Sequence, residues 1–177
     1  MDPKLSYRPA RAVDADQVHR LIAAVAEEEG ALTAGADEIS TEDIRFRIRN
    51  ATNRRNRLFF VTTDDEKVVG MVSLESSPYR ALEHIRFLNM IVDPRYRRRG
   101  IATELVRIAL EWANEVDKVH KIEAQLRTSN EAGTTLLKNL GFSVEGTLVR
   151  HTKLPAGNLV DDLVLALFVD GNDPDAE

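Results

Sequence analysis

Arg95, Arg97, Arg98 and Arg99 run into Gly100 within the stretch Val-Asp-Pro-Arg-Tyr-Arg-Arg-Arg-Gly-Ile-Ala, residues 92–102. The chemistry that these residue types at this spacing could do is anion binding. A glycine at a strand-to-helix turn lets the backbone approach a ligand closely. A helix opening behind it offers unpaired N–H groups and the positive end of its dipole. Together they cradle a phosphate or pyrophosphate. A basic run alone reads as solvated surface, but the glycine and helix start favour the anion.

The flanking residues supply both elements. Residues 87–92, Phe-Leu-Asn-Met-Ile-Val, are mostly apolar and end at Asp93-Pro94, as a strand should. Ile101, Leu105, Ile108, Trp112 and Val116 then recur at helical spacing. Neither of two familiar phosphate loops is present. Gly100 is not followed by Lys and Ser/Thr as in a nucleotide-hydrolysing loop, and it stands alone rather than in Gly-x-Gly-x-x-Gly.

A second block begins at Asn130-Glu131-Ala132 and continues through Leu136, Leu137 and Leu140 to Gly141-Phe142. Ser129 or Asn130 can cap this helix, and Gly141 can end it with Phe142 packing back. The first block, Arg97-x-x-Gly100-x-Ala102 behind Asn89-x-x-Val92-Asp93-Pro94, resembles motif A of the GNAT superfamily of acetyl-CoA-dependent N-acetyltransferases. The second resembles its motif B, with Gly133 where Ala is usual and Leu137 where Tyr is usual. Gly141-Phe142-x-x-Glu145-Gly146, Arg150, Gly157 and Val160-Asp161, with His84 upstream, are similar to the branch holding ribosomal-protein and free amino-acid N-acetyltransferases.

The rest of the chain is laid out around these blocks. Residues 5–9 read as a first strand. Val18, Leu21, Ile22 and Val25 mark a helix face, and Ser40-Thr41-Glu42-Asp43 is a capping box opening a second helix. Residues 58–61 and 68–74 read as strands joined by a polar turn at 62–67, and 85–92 is the fourth strand. Residues 121–127 alternate as a half-exposed strand, and strands near 143–151 and 159–169 close the chain. The long apolar run in the last suggests burial on both faces. The order β-α-α-β-β-β-α-β-α-β-β matches the GNAT order. The expectation is an α/β (α+β) fold with a mixed, mostly antiparallel sheet of about seven strands and about four helices. A single domain spans 1–170, and the acidic tail 171–177 is expected to be disordered.

Composition narrows the function classes. The chain has 177 residues, net charge −5 and no cysteine. The charge argues against general nucleic-acid binding. The missing thiol excludes disulfides, thiolate metal sites and a cysteine nucleophile. No histidine has metal-ligand spacing to another ligand, so no metal is expected. Residues 1–9 lack a signal-peptide core, and the apolar run 163–169 is too short to span a bilayer. A soluble cytoplasmic protein with no membrane partner is the simplest expectation, with a homodimer left open.

The resemblance implies direct attack of an amine on acetyl-CoA, with residues 97–103 (Arg97, Arg98, Arg99, Gly100, Ile101, Ala102 and Thr103) at the pyrophosphate. It implies that the backbone of Met90, Ile91 and Val92, freed by a bulge in the fourth strand, serves the pantetheine arm and acetyl carbonyl. Asn130 would contact the pantetheine or order the adjacent loop. Many relatives place a glutamate on the fourth or fifth strand; the matching fifth-strand position is Gln125, which cannot act as base. Glu83, His84 and Glu123 are the side-chain candidates, and a base acting through water is equally compatible. Glu27, Glu28 and Glu29 could attract a cationic amine or form a solvated face. The missing tyrosine and glutamate also keep open a non-catalytic acyl-CoA-binding module. The arginine run keeps open a nucleic-acid binder, which the net charge disfavours.

Overall fold

The computed structural model describes residues 5–28, 32, 36–53 and 57–169. The strands are β1 Leu5–Pro9, β2 Leu58–Asp64, β3 Lys67–Ser76, β4 Ile85–Val92, β5 Lys121–Arg127, β6 Ser143–Lys153 and β7 Leu159–Phe168. The helices are α1 Ala15–Ala26, α2 Thr41–Asn53, α3 Ile101–Asn114 and α4 Glu131–Asn139. This is the element order read from the sequence. The acidic tail and Glu29 lie outside the described residues.

The strands form one sheet in the order β1-β2-β3-β4-β5-β7-β6. Only β4 and β5 pair in parallel among the described residues, and they do so over Ile85–Phe87 alone. β4 goes on along β3 to Val92, while β5 goes on along β7 to Arg127. The sheet therefore opens between them. The β3–β4 register runs from Ser76↔Arg86 to Gly70↔Val92 without a shift. The expected bulge is thus not what parts the two strands here; their pairing simply ends.

Two cores cover the two faces. α1 and α2 bury Val18, Leu21, Ile22, Val25, Ile44 and Ile48 against Phe59, Val61 and Met71. α3 and α4 bury Leu105, Val106, Ala109 and Leu137 against Val72, Leu74 and Ile122. Each large aliphatic side chain so buried contributes about 1.5–3 kcal/mol. The buried face of α3 is rotated from the stripe expected. Ala109 and Ala113 are buried while Trp112 is half-buried, and the helix ends before Val116. The small alanines let α3 sit close to the sheet, as does Gly70, where a Cβ would lie 3.1 Å from Cγ2 of Ile101.

The helix ends follow the residues written for them. Ser40 Oγ accepts from Asp43 N, and the Asp43 carboxylate accepts from Ser40 N, which is the capping box. At the end of α4, Gly141 takes φ +95°. Its N–H donates to Lys138 and that of Phe142 to Leu137, both at 3.0 Å, the Schellman pattern. The turn expected at 62–67 shrinks to Asp65 and Glu66, both at positive φ. The apolar strand β7 is buried on both faces only at Leu165 and Ala166, because its outer neighbour β6 is a largely exposed edge.

Candidate functional site

The opening between β4 and β5 leads into a cleft of about 470 Å³, walled by β4, the 92–103 turn and the starts of α3 and α4. Its backbone chemistry follows from strand alternation. Asp93 N donates to Val69 O at 2.9 Å, so residues 93, 91, 89 and 87 share the hydrogen-bonded pairs with β3. Ile91 therefore spends its N–H on β3. The N–H groups of Met90 and Val92 point the other way, into the gap that β5 has left.

The turn beside this edge is built from backbone conformation. Asp93 accepts from Arg95 N at 3.0 Å and starts a single tight turn over Pro94–Tyr96. Arg98 then takes φ +63° and Gly100 φ +77°. Gly100 is the N-cap of α3 and supplies no side chain, so the N–H groups of Ile101, Ala102 and Thr103 are uncapped. A Cβ built on Gly100 meets nothing within 4 Å. The space above the turn is open, and three donors and a helix dipole face it, which fits a pyrophosphate. The Ile101 side chain is buried in the core, so its role here is main-chain only.

The four arginines have separate fates. Arg95 is turned back onto the Asp93 carboxylate through Nε and Nη2 at 3.0 and 2.7 Å. Its hydrogen bonds hold the Asp93 carboxyl below the usual carboxylate range. Arg99 lies over the Tyr96 ring, 5.1 Å from its centre. Tyr96 is itself fixed by its hydroxyl, which donates to Asp64 at 2.9 Å. Arg97 spans the cleft mouth: Nε donates to Val92 O at 3.3 Å, and Nη1 lies 2.9 Å from the Glu28 carboxylate. Arg98 makes no ion pair among the described residues. The cleft is thus lined by Arg97 and Arg98 but not Arg99.

At the far wall, the Oδ1 of Asn130 accepts from Gly133 N at 2.9 Å and caps α4. A Cβ at position 133 would sit 2.9 Å from that amide, so the glycine is what lets the cap close this tightly. Leu136 faces the cleft, whereas Leu137 is only 2 % exposed and belongs to the core. The Oγ1 of Thr134, one turn earlier, is buried without a hydrogen-bond partner.

The three candidate bases lie away from this cleft. Glu83 and His84 precede β4 at its opposite end, where the carbonyl of His84 accepts from the N–H groups of His120 and Lys121. The His84 and His120 rings sit 6.4 Å apart. Glu123 is paired with Lys121 at 2.9 Å, which also reaches Glu145. None of the three lines the cleft. Sequence reasoning missed Tyr96, Leu32 and Leu136 as lining residues. It also missed Asp162, fully buried on β7 opposite Arg127 of β5. The signal for Asp162 was available, because a carboxylate inside an apolar strand must be paired.

Comparison with known proteins agrees with this architecture. The YjcK protein of Bacillus subtilis (strain 168), a probable N-acetyltransferase by name, is 32% identical over 107 residues, 60% of this chain and 58% of its own. The L-amino acid N-acetyltransferase AaaT of Escherichia coli (strain K12) is 28% identical over 102 residues, 58% of this chain and 62% of its own. The chain thus spans about three fifths of these curated relatives. Solved structures share the fold. One is yncA of Salmonella typhimurium, described as a putative acetyltransferase with its cofactor acetyl-CoA (TM-score 0.85, 18% identity, 98% and 99% of the two chains). Another is the ribosomal-protein-alanine N-acetyltransferase of Brucella melitensis (TM-score 0.80, 24% identity, 92% and 99%). The pattern defining the Acetyltransferase (GNAT) family matches residues 17–142, and the chain belongs to that family.

Proposed function

We propose that the protein transfers the acetyl group of acetyl-CoA to a primary amine of a small molecule or peptide, by direct attack within a ternary complex. The observation that carries this is the shared cleft. The β4 edge with the free N–H groups of Met90 and Val92 opens onto the same space as the uncapped start of α3. That layout suits a long ligand with an anion at one end and a carbonyl at the other. The names of the Escherichia coli and Salmonella typhimurium proteins support the same reading.

In this reading the 97–103 turn binds the pyrophosphate, largely through main-chain donors. The Met90 or Val92 N–H faces the negative charge that develops on the thioester oxygen. Holding amine and thioester in line lowers the barrier by several kcal/mol. The amine nitrogen adds to the thioester carbonyl, and the C–S bond then breaks to release CoA as its thiolate. The amine proton passes to water, since none of the three carboxylate or imidazole candidates lines the cleft. The chain contains no cysteine, so a cysteinyl acyl-enzyme is excluded. Such a co-substrate also fits a cytoplasmic setting.

The test is a thermal-shift titration with acetyl-CoA followed by thiol release with an amine panel. Binding to the folded state raises the melting temperature by mass action, and turnover should give intersecting initial-rate plots. A shift without turnover on any amine would leave a binding module, and no shift would remove the reading.

A further inference from the structure

We infer that the Glu28–Arg97 ion pair is a latch across the cleft mouth, which the pyrophosphate of a CoA ligand must open or share. The inference rests on the cofactor site proposed above and goes beyond it. Both side chains line one cleft and come from different parts of the fold: Glu28 follows the end of α1, and Arg97 precedes α3. Their charged atoms meet at 2.9 Å, with side chains 40% and 42% exposed. Arg97 is also tied to Val92 O at 3.3 Å, so its guanidinium is held over the strand edge rather than over Gly100. Of its neighbours, Arg95 is committed to Asp93 and Arg99 to Tyr96. Arg97 is therefore the cation of this run whose present partner is a carboxylate from a distant element, Glu28 beyond α1.

A pyrophosphate in the turn competes with Glu28 for that guanidinium. Pairs this exposed are weak, so the latch is closed only a few times more often than open. An equilibrium of that size weakens apparent CoA affinity by about two- to fivefold, and releasing it should recover that factor. The effect belongs to the phosphates of CoA, because pantetheine carries no competing anion. It also belongs to Glu28 rather than to net charge. Glu27 is an exposed carboxylate next in sequence and forms no ion pair among the described residues.

The test is calorimetric binding of CoA and of pantetheine to the wild type, Glu28→Gln and Glu27→Gln, with melting temperatures confirming that each folds. Glu28→Gln should bind CoA about two- to fivefold more tightly, with pantetheine unchanged and Glu27→Gln like wild type. The gain should shrink at high salt, which screens the latch. Equal or weaker CoA binding in Glu28→Gln, or equal gains in both variants, would overturn the latch while leaving the cofactor site standing. Failure of every variant to bind CoA would overturn both.

Discussion

The side-chain amide of Gln125 on β5 donates from Nε2 to Oδ2 of Asp162 on β7 at 2.6 Å. Asp162 also accepts from Arg127 Nη1 on both oxygens, at 3.0 and 3.1 Å, and from Thr152 Oγ1 at 2.9 Å. A carboxylate paired in this way only accepts hydrogen bonds, so it fixes the amide nitrogen inward and leaves the Gln125 carbonyl oxygen turned outward. Gln125 is exposed, two residues past the last β4–β5 pairing. Strand alternation puts it on the face of Glu123 and Arg127. Gln125 does not itself line the cleft, so its place beside the acceptor amine is a prediction drawn from its exposed amide past the end of the β4–β5 pairing; there it would orient the amine but not take its proton.

Gln125→Leu should therefore raise the KM for the amine by about tenfold, the loss of one hydrogen bond. The acetyl-CoA dissociation constant should stay within about twofold. Steady-state kinetics beside calorimetry separates the two. An unchanged amine KM would remove Gln125 from the acceptor side.

Much of this arrangement was legible in the sequence, for reasons that differ by element. α4 was readable end to end because both signals are local: Asn130 caps it and Gly141-Phe142 ends it. The tight turn before α3 was readable because only glycine adopts φ +77° freely. What escaped was non-local. Asp93 and Tyr96 hold Arg95 and Arg99 within one turn, but the partner of Arg97, Glu28, comes from beyond the end of α1. The opening of the sheet depends on where β4 and β5 stop pairing, and no residue marks that point.

Gly100→Ala isolates the turn. In the free protein the added methyl meets no atom within 4 Å, but the left-handed backbone costs about 1–2 kcal/mol for a residue with a Cβ. A fall of about 2–8 °C in melting temperature follows for a domain of this size. The methyl and the strained turn should also cut the acetyl-CoA-induced shift to near zero. A full shift in Gly100→Ala would place the pyrophosphate elsewhere.

Asp93 should make the same turn acid-sensitive. Its hydrogen bonds from Arg95 depress the carboxyl below its ordinary value of 3.8. A depressed acid contributes stability that is fully present above the unfolded value and is lost as pH falls through the folded one. The melting-temperature gap between wild type and Asp93→Asn should therefore be constant from pH 7 to about pH 5, then narrow below about pH 4. A gap that widens in acid would reverse the assigned sign.

The last expectation concerns the departing thiolate. Family resemblance puts a tyrosine at position 137, but Leu137 is 2 % exposed and packs in the core with Phe142 and Ile122. A larger ring there overpacks the core, costing about 1–3 kcal/mol. Leu137→Tyr should thus lose stability without gaining turnover. Leu136, one residue earlier, faces the cleft, so Leu136→Tyr can bring a hydroxyl to the leaving group with little loss of stability. A CoA-type thiol, with a pKa near the usual value of about 8.5, is a tolerable leaving group unaided. The gain in kcat from Leu136→Tyr should therefore be modest, within about tenfold. Thr134→Val should leave kcat within the same range and the fold intact, because its hydroxyl is buried without a partner. A loss of several hundredfold in Thr134→Val with acetyl-CoA affinity intact would instead make that hydroxyl the proton donor. A gain in Leu137→Tyr at unchanged melting temperature would show that the ring swings from the core into the cleft.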